Sequence, residues 1–316
     1  MIKTAFIFPG QGAQSVGMMS NWNEHQLIVQ TIYDQASESL GYDLWKIVSE
    51  GPAETLNQTE ITQPAMLCAS VACWQIASAR DEIPSPSMMA GHSFGEYSAL
   101  VCSDSLELED AVKLVSYRGR LMQAAVPPGE GSMAAIIGLD DDSIIAACAS
   151  VTCGVVEATN FNSEGQVVIA GNKAAVDEAM ENAKALGAKR VLPLAVSVPS
   201  HCSLMTEAAD QLFESLSNTN FKMPSIPVIH NQNADIAVSV DDIKQLLKKQ
   251  LYQPVRWADS VRLMHSKRVE CLIECGPGKV LSGLTRRIEK TMKSQSVSDF
   301  TSLEKTIESF RSNNTC

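Results

Sequence analysis

The sequence predicts a two-part α/β protein, a helix-covered parallel sheet into which a smaller βαββαβ unit is inserted. Three observations carry this. From Lys3 to about Val126, strand and helix patterns alternate, as they do when parallel strands are linked by crossover helices. Pro127-Pro128-Gly129-Glu130-Gly131 then breaks the chain, and the patterns that follow run β-α-β-β-α-β, the ferredoxin-like order. After about Val196 the first rhythm resumes. At 316 residues, 45% hydrophobic and 19% charged, the chain is long enough to bury a sizeable core in one large domain or two.

Taken in order, Lys3 to Phe8 reads as a strand and Trp22 to Leu40 as an amphipathic helix. A second helix begins after Pro64 and runs to about Arg80. Met88-Met89-Ala90 leads into a glycine turn, Glu96 to Val101 continues it as a helix, and a longer helix covers Leu108 to Val126. In the inserted unit, Ser132 to Ile137 is a strand and Asp140 to Ser150 a helix. Gly154 to Ala158 and Gln166 to Ala170 are strands around an Asn-rich turn; Asn172 to Leu186 is a helix and Lys189 to Leu194 a strand. Beyond it come strands at Ile226 to His230 and Glu270 to Glu274, with helices at His201 to Leu216, Asp241 to Leu251 and Lys279 to Lys290. The division is therefore a large subdomain, 1–127 and 197–290, a small one, 128–196, and a polar C-terminal tail, 291–316, with a weak amphipathic patch at Leu303 to Phe310.

The net charge of −11 argues against general nucleic-acid binding, which needs a basic face. The opening residues read as a strand rather than a secretory leader. No apolar run approaches the ~20 residues of a membrane helix, so a cytoplasmic chain that engages no membrane is expected. The nine cysteines form no Cys-x-x-Cys pair, which leaves zinc and thioredoxin-like readings without support. Cys202 adjoins a candidate histidine and reads as packing.

The most informative segment is Gly91-His92-Ser93-Phe94-Gly95-Glu96-Tyr97. A serine flanked by glycines at a strand-to-helix turn is a nucleophile elbow. The glycines let the backbone fold sharply, and the turn lifts Ser93 Oγ clear of an α/β-hydrolase-like sheet. The following helix then aims N–H groups at a developing oxyanion. An ordinary glycine turn is the plainer alternative.

Serine needs a base, and histidine is the usual one. Of the five histidines, His25 and His265 lie in polar surroundings, His92 sits inside the elbow and His230 ends a strand. His201 follows Val198-Pro199-Ser200 and starts a helix, a position that presents a ring to a cleft. A lone histidine is more often structural, so the residues alone leave His201 open. A second glycine-rich turn, Phe8-Pro9-Gly10-Gln11-Gly12-Ala13-Gln14, is placed to serve as an oxyanion donor loop or as a plain connection. It lacks the endings of phosphate and dinucleotide loops. Arg118 lies four residues after Leu114, three after Val115 and four before Met122, on the apolar face of its helix, whereas Arg120 falls on the polar face. A buried arginine needs an anion. A core carboxylate and a substrate carboxylate are equally good candidates on position alone.

Together these residues resemble a known family. Phe-Pro-Gly-Gln-Gly-Ala-Gln at 8–14, the elbow at 91–97, Arg118, Pro199-Ser200-His201, Asn160-x-Asn162 with Gly165-Gln166, Gln250-Leu251-Tyr252-Gln253-Pro254-Val255-x-Trp257 and Glu274-x-Gly276-Pro277-Gly278 are similar to the malonyl-CoA:acyl carrier protein transacylases. The resemblance spans residues 3 to 290 and extends to the acyltransferase domains of polyketide and animal fatty acid synthases. It implies Ser93 as nucleophile, His201 as base and Gln250 orienting that base through its main-chain carbonyl. It also implies an oxyanion hole from the N–H groups of Gln11 and Phe94, Arg118 as the clamp for the malonate carboxylate, and Asn160 and Asn162 in the cleft. Malonyl-CoA and holo acyl carrier protein would be the substrates of a ping-pong transfer supplying fatty acid synthesis. No cofactor and no metal would be needed, and a monomer is expected. An acidic carrier would dock on basic residues, of which Lys189, Arg190, Lys279, Arg286, Arg287 and Lys290 are candidates. The rivals are a serine hydrolase, since several acidic residues lie between Ser93 and His201, and a non-catalytic carrier-binding module, against which the intact elbow argues.

Overall fold

The computed structural model describes residues 2–196 and 198–313. Among the described residues nine strands form two sheets: β1 Thr4–Phe8, β2 Pro86–Gly91, β3 Gly131–Ile137, β4 Val156–Ser163, β5 Gln166–Asn172, β6 Arg190–Pro193, β7 Val228–Ile229, β8 Cys271–Cys275 and β9 Lys293–Val297. The larger sheet has the order β7-β2-β1-β8-β9 and is parallel throughout. Every residue of β1 and of β8 is buried, as expected of strands covered by helices on both faces. The smaller sheet has the order β4-β5-β3-β6 and is antiparallel. Helices Asp141–Ala149 and Lys173–Ala185 join its strands, giving the ferredoxin-like topology that the β-α-β-β-α-β pattern predicts.

The site is positioned by β1: the chain steps outward from it through β2 to β7, then crosses back to β8 on its other side, so the direction of winding reverses at β1. Loops at the carboxyl ends of such strands form the natural ligand crevice. Here those loops are the Pro9–Gln14 turn, the elbow after β2, and Gly276-Pro277-Gly278 after β8. Glycine is required where they meet. A Cβ on Gly91 would lie 1.9 Å from the Gly95 carbonyl oxygen, and one on Gly95 would lie 2.5 Å from the Phe8 carbonyl oxygen. The buried Glu274 carboxylate accepts from the N–H groups of Leu281 (3.1 Å) and Ser282 (2.8 Å), tying β8 to the start of helix Val280–Ile288.

The small sheet is stitched to the large subdomain along its β4 edge. Phe161 N–H donates to Val255 O at 2.9 Å and Val255 N–H to Thr159 O at 2.8 Å. His92 Nε2 in the elbow meets Asn162 Oδ1 at 2.8 Å. The elbow therefore opens toward the junction of the two sheets.

Three expectations are corrected. The helix expected after Pro64 begins at Thr59 and contains that proline. Proline costs little only near a helix start, and here sixteen of the twenty residues of Thr59–Ser78 are buried, so packing outweighs local preference. Gly119 lets helix Leu108–Ala124 close on this turn, since a Cβ there would lie 2.6 Å from Glu60 Cα. The Asn-rich turn is strand: β4 carries Asn160 and Asn162, and the reversal is made by Glu164 and Gly165. Finally, 291–313 is no loose tail. β9 pairs in parallel with β8, and helix Phe300–Asn313 buries Leu303, Ile307 and Phe310 in the main core. A lone edge strand as polar as Lys-Ser-Gln-Ser-Val gives no apolar alternation to read.

Candidate active site

Ser93 sits at the tip of the elbow with φ +54°, in the left-handed region that costs a non-glycine residue about 1–2 kcal/mol. Its carbonyl accepts the N–H of Glu96 at 3.0 Å, opening helix Gly95–Cys102. His201 is also left-handed, at φ +64°. Its Nε2 lies 2.8 Å from Ser93 Oγ and its Nδ1 lies 2.6 Å from the Gln250 carbonyl oxygen. A carbonyl only accepts, so Nδ1 carries the hydrogen and Nε2 presents its lone pair to the serine hydroxyl. The backbone N–H of His201 donates to Leu251 O at 3.1 Å. Both carbonyls belong to the last turn of helix Val240–Tyr252, whose final carbonyls have no partner within the helix. The same negative helix end favours an imidazolium, so orientation and charge stabilisation are met without an acidic third residue. Burial first, then the Arg118 charge, push the His201 pKa down to about 3, so the ring is an available base at neutral pH.

Arg118 is fully buried, with Leu114, Val115 and Met122 buried on the same helix face, while Arg120 lies outside over the Tyr117 ring. Arg118 Nη2 donates to Gln250 Oε1 at 3.1 Å and to Ser93 Oγ at 3.3 Å. Its Nε and Nη1 have no hydrogen-bond partner, and it forms no ion pair with a carboxylate among the described residues. Position alone left a core carboxylate and a substrate carboxylate level; the missing internal partner favours an anion from outside. A buried guanidinium without one is costly by several kcal/mol, and burial lowers its pKa.

The oxyanion candidates flank Ser93. His92 N–H donates to Phe8 O at 2.9 Å, and a Cβ on Gly10 would lie 2.9 Å from the His92 carbonyl oxygen, so the Gln11 loop lies against the elbow. The N–H groups of Gln11 and Phe94 donate to no backbone or side-chain acceptor among the described residues. Asn162 reaches the elbow through His92, whereas Asn160 accepts from Thr159 Oγ1 at 3.0 Å and does not bond Ser93, His201 or Arg118. Cys202 is buried, donates to Pro199 O at 3.1 Å, and has its thiol pushed up to about 12 by burial; it is packing. The other histidines are engaged elsewhere: His25 with Arg80, His265 with Thr291 and Glu289, and His230 with Glu96.

Sequence reasoning missed two fully buried residues here, Glu96 and Asn231. Glu96 receives His230 Nδ1, the Asn231 N–H and Gln250 Nε2; Asn231 in turn receives the Ser93 N–H. A carboxylate as the one charged group of the elbow helix was a usable signal, because burying it demands donors. Asn231 follows a two-residue strand with no local signal.

The comparisons agree with this geometry. A family model of the acyl transferase domain matches residues 5–314. The malonyl CoA-acyl carrier protein transacylase of Escherichia coli K12 is 50% identical over 309 residues, covering 98% of this chain and all of its own. The chain belongs to the malonyl-CoA:acyl carrier protein transacylase family. The Haemophilus influenzae transacylase is 52% identical, with 96% of this chain and 97% of its own covered. An acyl carrier protein S-malonyltransferase from Vibrio cholerae superposes with a TM-score of 0.93 at 52% identity, covering 96% of this chain and 99% of its own. A malonyl-transacylase solved with a type II polyketide synthase acyl-carrier protein gives 0.94 at 49% identity, with 97% and 99% covered. The family match runs through β9 and the last helix, beyond the 290 expected from motifs. Among the described residues no helix is long and apolar enough to cross a membrane, and no group of three or more His, Cys, Asp or Glu is arranged to hold a metal ion.

Proposed function

We propose that the protein moves the malonyl group from malonyl-CoA to the phosphopantetheine thiol of acyl carrier protein through malonyl-Ser93, supplying fatty acid synthesis. The observation that carries this is the buried Arg118, with two unpaired donors and its third nitrogen 3.3 Å from Ser93 Oγ. Ser93 Oγ attacks the thioester carbonyl as its proton passes to His201 Nε2. The N–H groups of Gln11 and Phe94 receive the oxyanion. As the intermediate collapses the C–S bond breaks, and the CoA sulfur takes the proton from His201. The carrier thiol then gives its proton to His201 and attacks the malonyl ester, and Ser93 leaves with that proton. Thioester, ester and thioester are similar in energy, so no cofactor, metal or nucleotide is consumed. Gln250 orients His201, and Asn160 and Asn162 line the cleft. One chain carries every group, which fits a monomer.

The carrier docks on a basic rim. Arg190 pairs with Ile137, which pairs with Gln166, and Gln166 accepts a hydrogen bond from Arg287 of the large subdomain. Lys189 packs over Gly138 beside this row. Both subdomains thus contribute positive charge to one shared row, which suits an acidic carrier. A polyketide carrier is the second reading, favoured by the relative solved with one.

Intact masses after incubation with malonyl-, acetyl- and methylmalonyl-CoA, with and without carrier, test the function. A malonyl adduct on Ser93 that persists in water and discharges to carrier is expected. Free CoA with no lasting adduct would establish a hydrolase instead.

A further inference from the structure

We propose that Asn231, locked in place by the buried carboxylate of Glu96, is the positioning residue that holds the Ser93 elbow in its reactive shape. The elbow is a left-handed turn at a serine, a conformation the chain would not keep unaided. Both peptide groups of Ser93 are tied by side chains. Its N–H donates to Asn231 Oδ1 at 2.7 Å, and its carbonyl accepts from Gln250 Nε2 at 2.9 Å. Asn231 Nδ2 also donates to Gly91 O at 2.6 Å. One planar carboxamide therefore spans the turn, accepting after His92 and donating before it. An aspartate would set an oxygen against the Gly91 carbonyl, and an apolar residue would leave both groups unpaired.

A clamp works only if it is itself held. The Asn231 N–H donates to Glu96 Oε2 at 2.9 Å and its carbonyl accepts from Arg256 N–H at 2.9 Å. Glu96 Oε1 takes His230 Nδ1 at 2.6 Å, and Oε2 also takes Gln250 Nε2 at 2.9 Å. Asn231, Glu96 and Gln250 are all fully buried. One carboxylate thus holds both residues that grip Ser93, Asn231 by its main chain and Gln250 by its side chain, and Gln250 carries the carbonyl that orients His201. Because Asn231 occupies the Ser93 N–H, the next N–H along the turn, that of Phe94, is the one left to face the oxyanion. Glu96 touches none of the reacting atoms, and Asn231 touches only the backbone of the nucleophile.

The inference rests on Ser93 being the acylated residue, and the test separates the two. Rapid-quench intact mass on the full chain gives the acylation rate constant and the half-saturating malonyl-CoA concentration. Asn231→Ala is expected to acylate about 10²-fold more slowly, the scale of a misplaced reacting group, with half-saturation unchanged because the Arg118 donors are untouched. Asn231→Asp and Glu96→Gln are expected to slow acylation in the same way while keeping the side-chain volume, and they carry the test if Asn231→Ala does not fold. An acylation rate equal to the parent's in a folded variant, or a loss seen only in half-saturation, would overturn the proposal. A parent protein that forms no malonyl-Ser93 overturns the transfer reading instead.

Discussion

Arg118 Nη2 donates to Ser93 Oγ at 3.3 Å, so the guanidinium with two unpaired donors also holds the elbow hydroxyl. Its charge is the second cause, after burial, of the low pKa of His201. In the proposed reaction, a substrate carboxylate paired with Arg118 would offset that charge and make an imidazolium easier to form. Selectivity for a carboxylated acyl group should therefore appear in the rate of acylation as well as in binding.

Arg118→Ala tests this. Malonyl loading should fall by about 2–5 kcal/mol in kcat/KM, the cost of deleting one partner of a buried charge pair, while the preference for malonyl-CoA over acetyl-CoA shrinks. Competition between the two thioesters, read by mass, checks it. Unchanged malonyl kinetics would remove the carboxylate clamp from the mechanism.

The pH profile follows from His201. The base acts when neutral, and its pKa lies at about 3, so kcat/KM is lost only as pH falls toward that value. Between pH 5 and 8 the acid side should be flat, without the limb near 6.5 that an unperturbed histidine gives. A limb centred between 6 and 7 would show that His201 is far less shielded than the geometry indicates.

Stability has its own pH dependence. Burial lowers the pKa of both His92 and His201, so below about pH 6.5 the unfolded chain binds protons that the folded chain refuses. Their contribution is fully present above the unfolded value and is lost as pH falls below it, by up to about 1.4 kcal/mol per pH unit for each group. Urea midpoints at pH 7.0, 6.0 and 5.0 should fall in that order, and His92→Gln should flatten the slope. A midpoint independent of pH over that range would contradict the burial of these rings.

The C-terminal segment should be indispensable. Ending the chain at Met292 removes β9 from β8 and uncovers the pocket filled by Leu303, Ile307 and Phe310. Burying three such side chains stabilises by at most about 4–9 kcal/mol, comparable to the 5–15 kcal/mol of a whole domain. The truncated protein should lose its cooperative thermal transition by calorimetry. A melt within a few degrees of the parent would mean the segment is an appendage after all.

The layers, the inserted ferredoxin-like unit, the elbow and the burial of Arg118 were legible in the residues alone. Each is a local requirement: glycine at a turn where a Cβ would strike backbone, apolar spacing on a helix face, alternation of strand and helix. What depends on distant partners emerged only in the folded chain. The fold chose His201 over His230 by bringing one to Ser93 and the other to Glu96, and it gave Asn231 its grip on an elbow 138 positions earlier. It also turned a polar tail into an edge strand and a core helix. Main-chain carbonyls such as that of Gln250 are present at every residue and so leave no mark in composition or spacing; only the fold selects which one meets the imidazole.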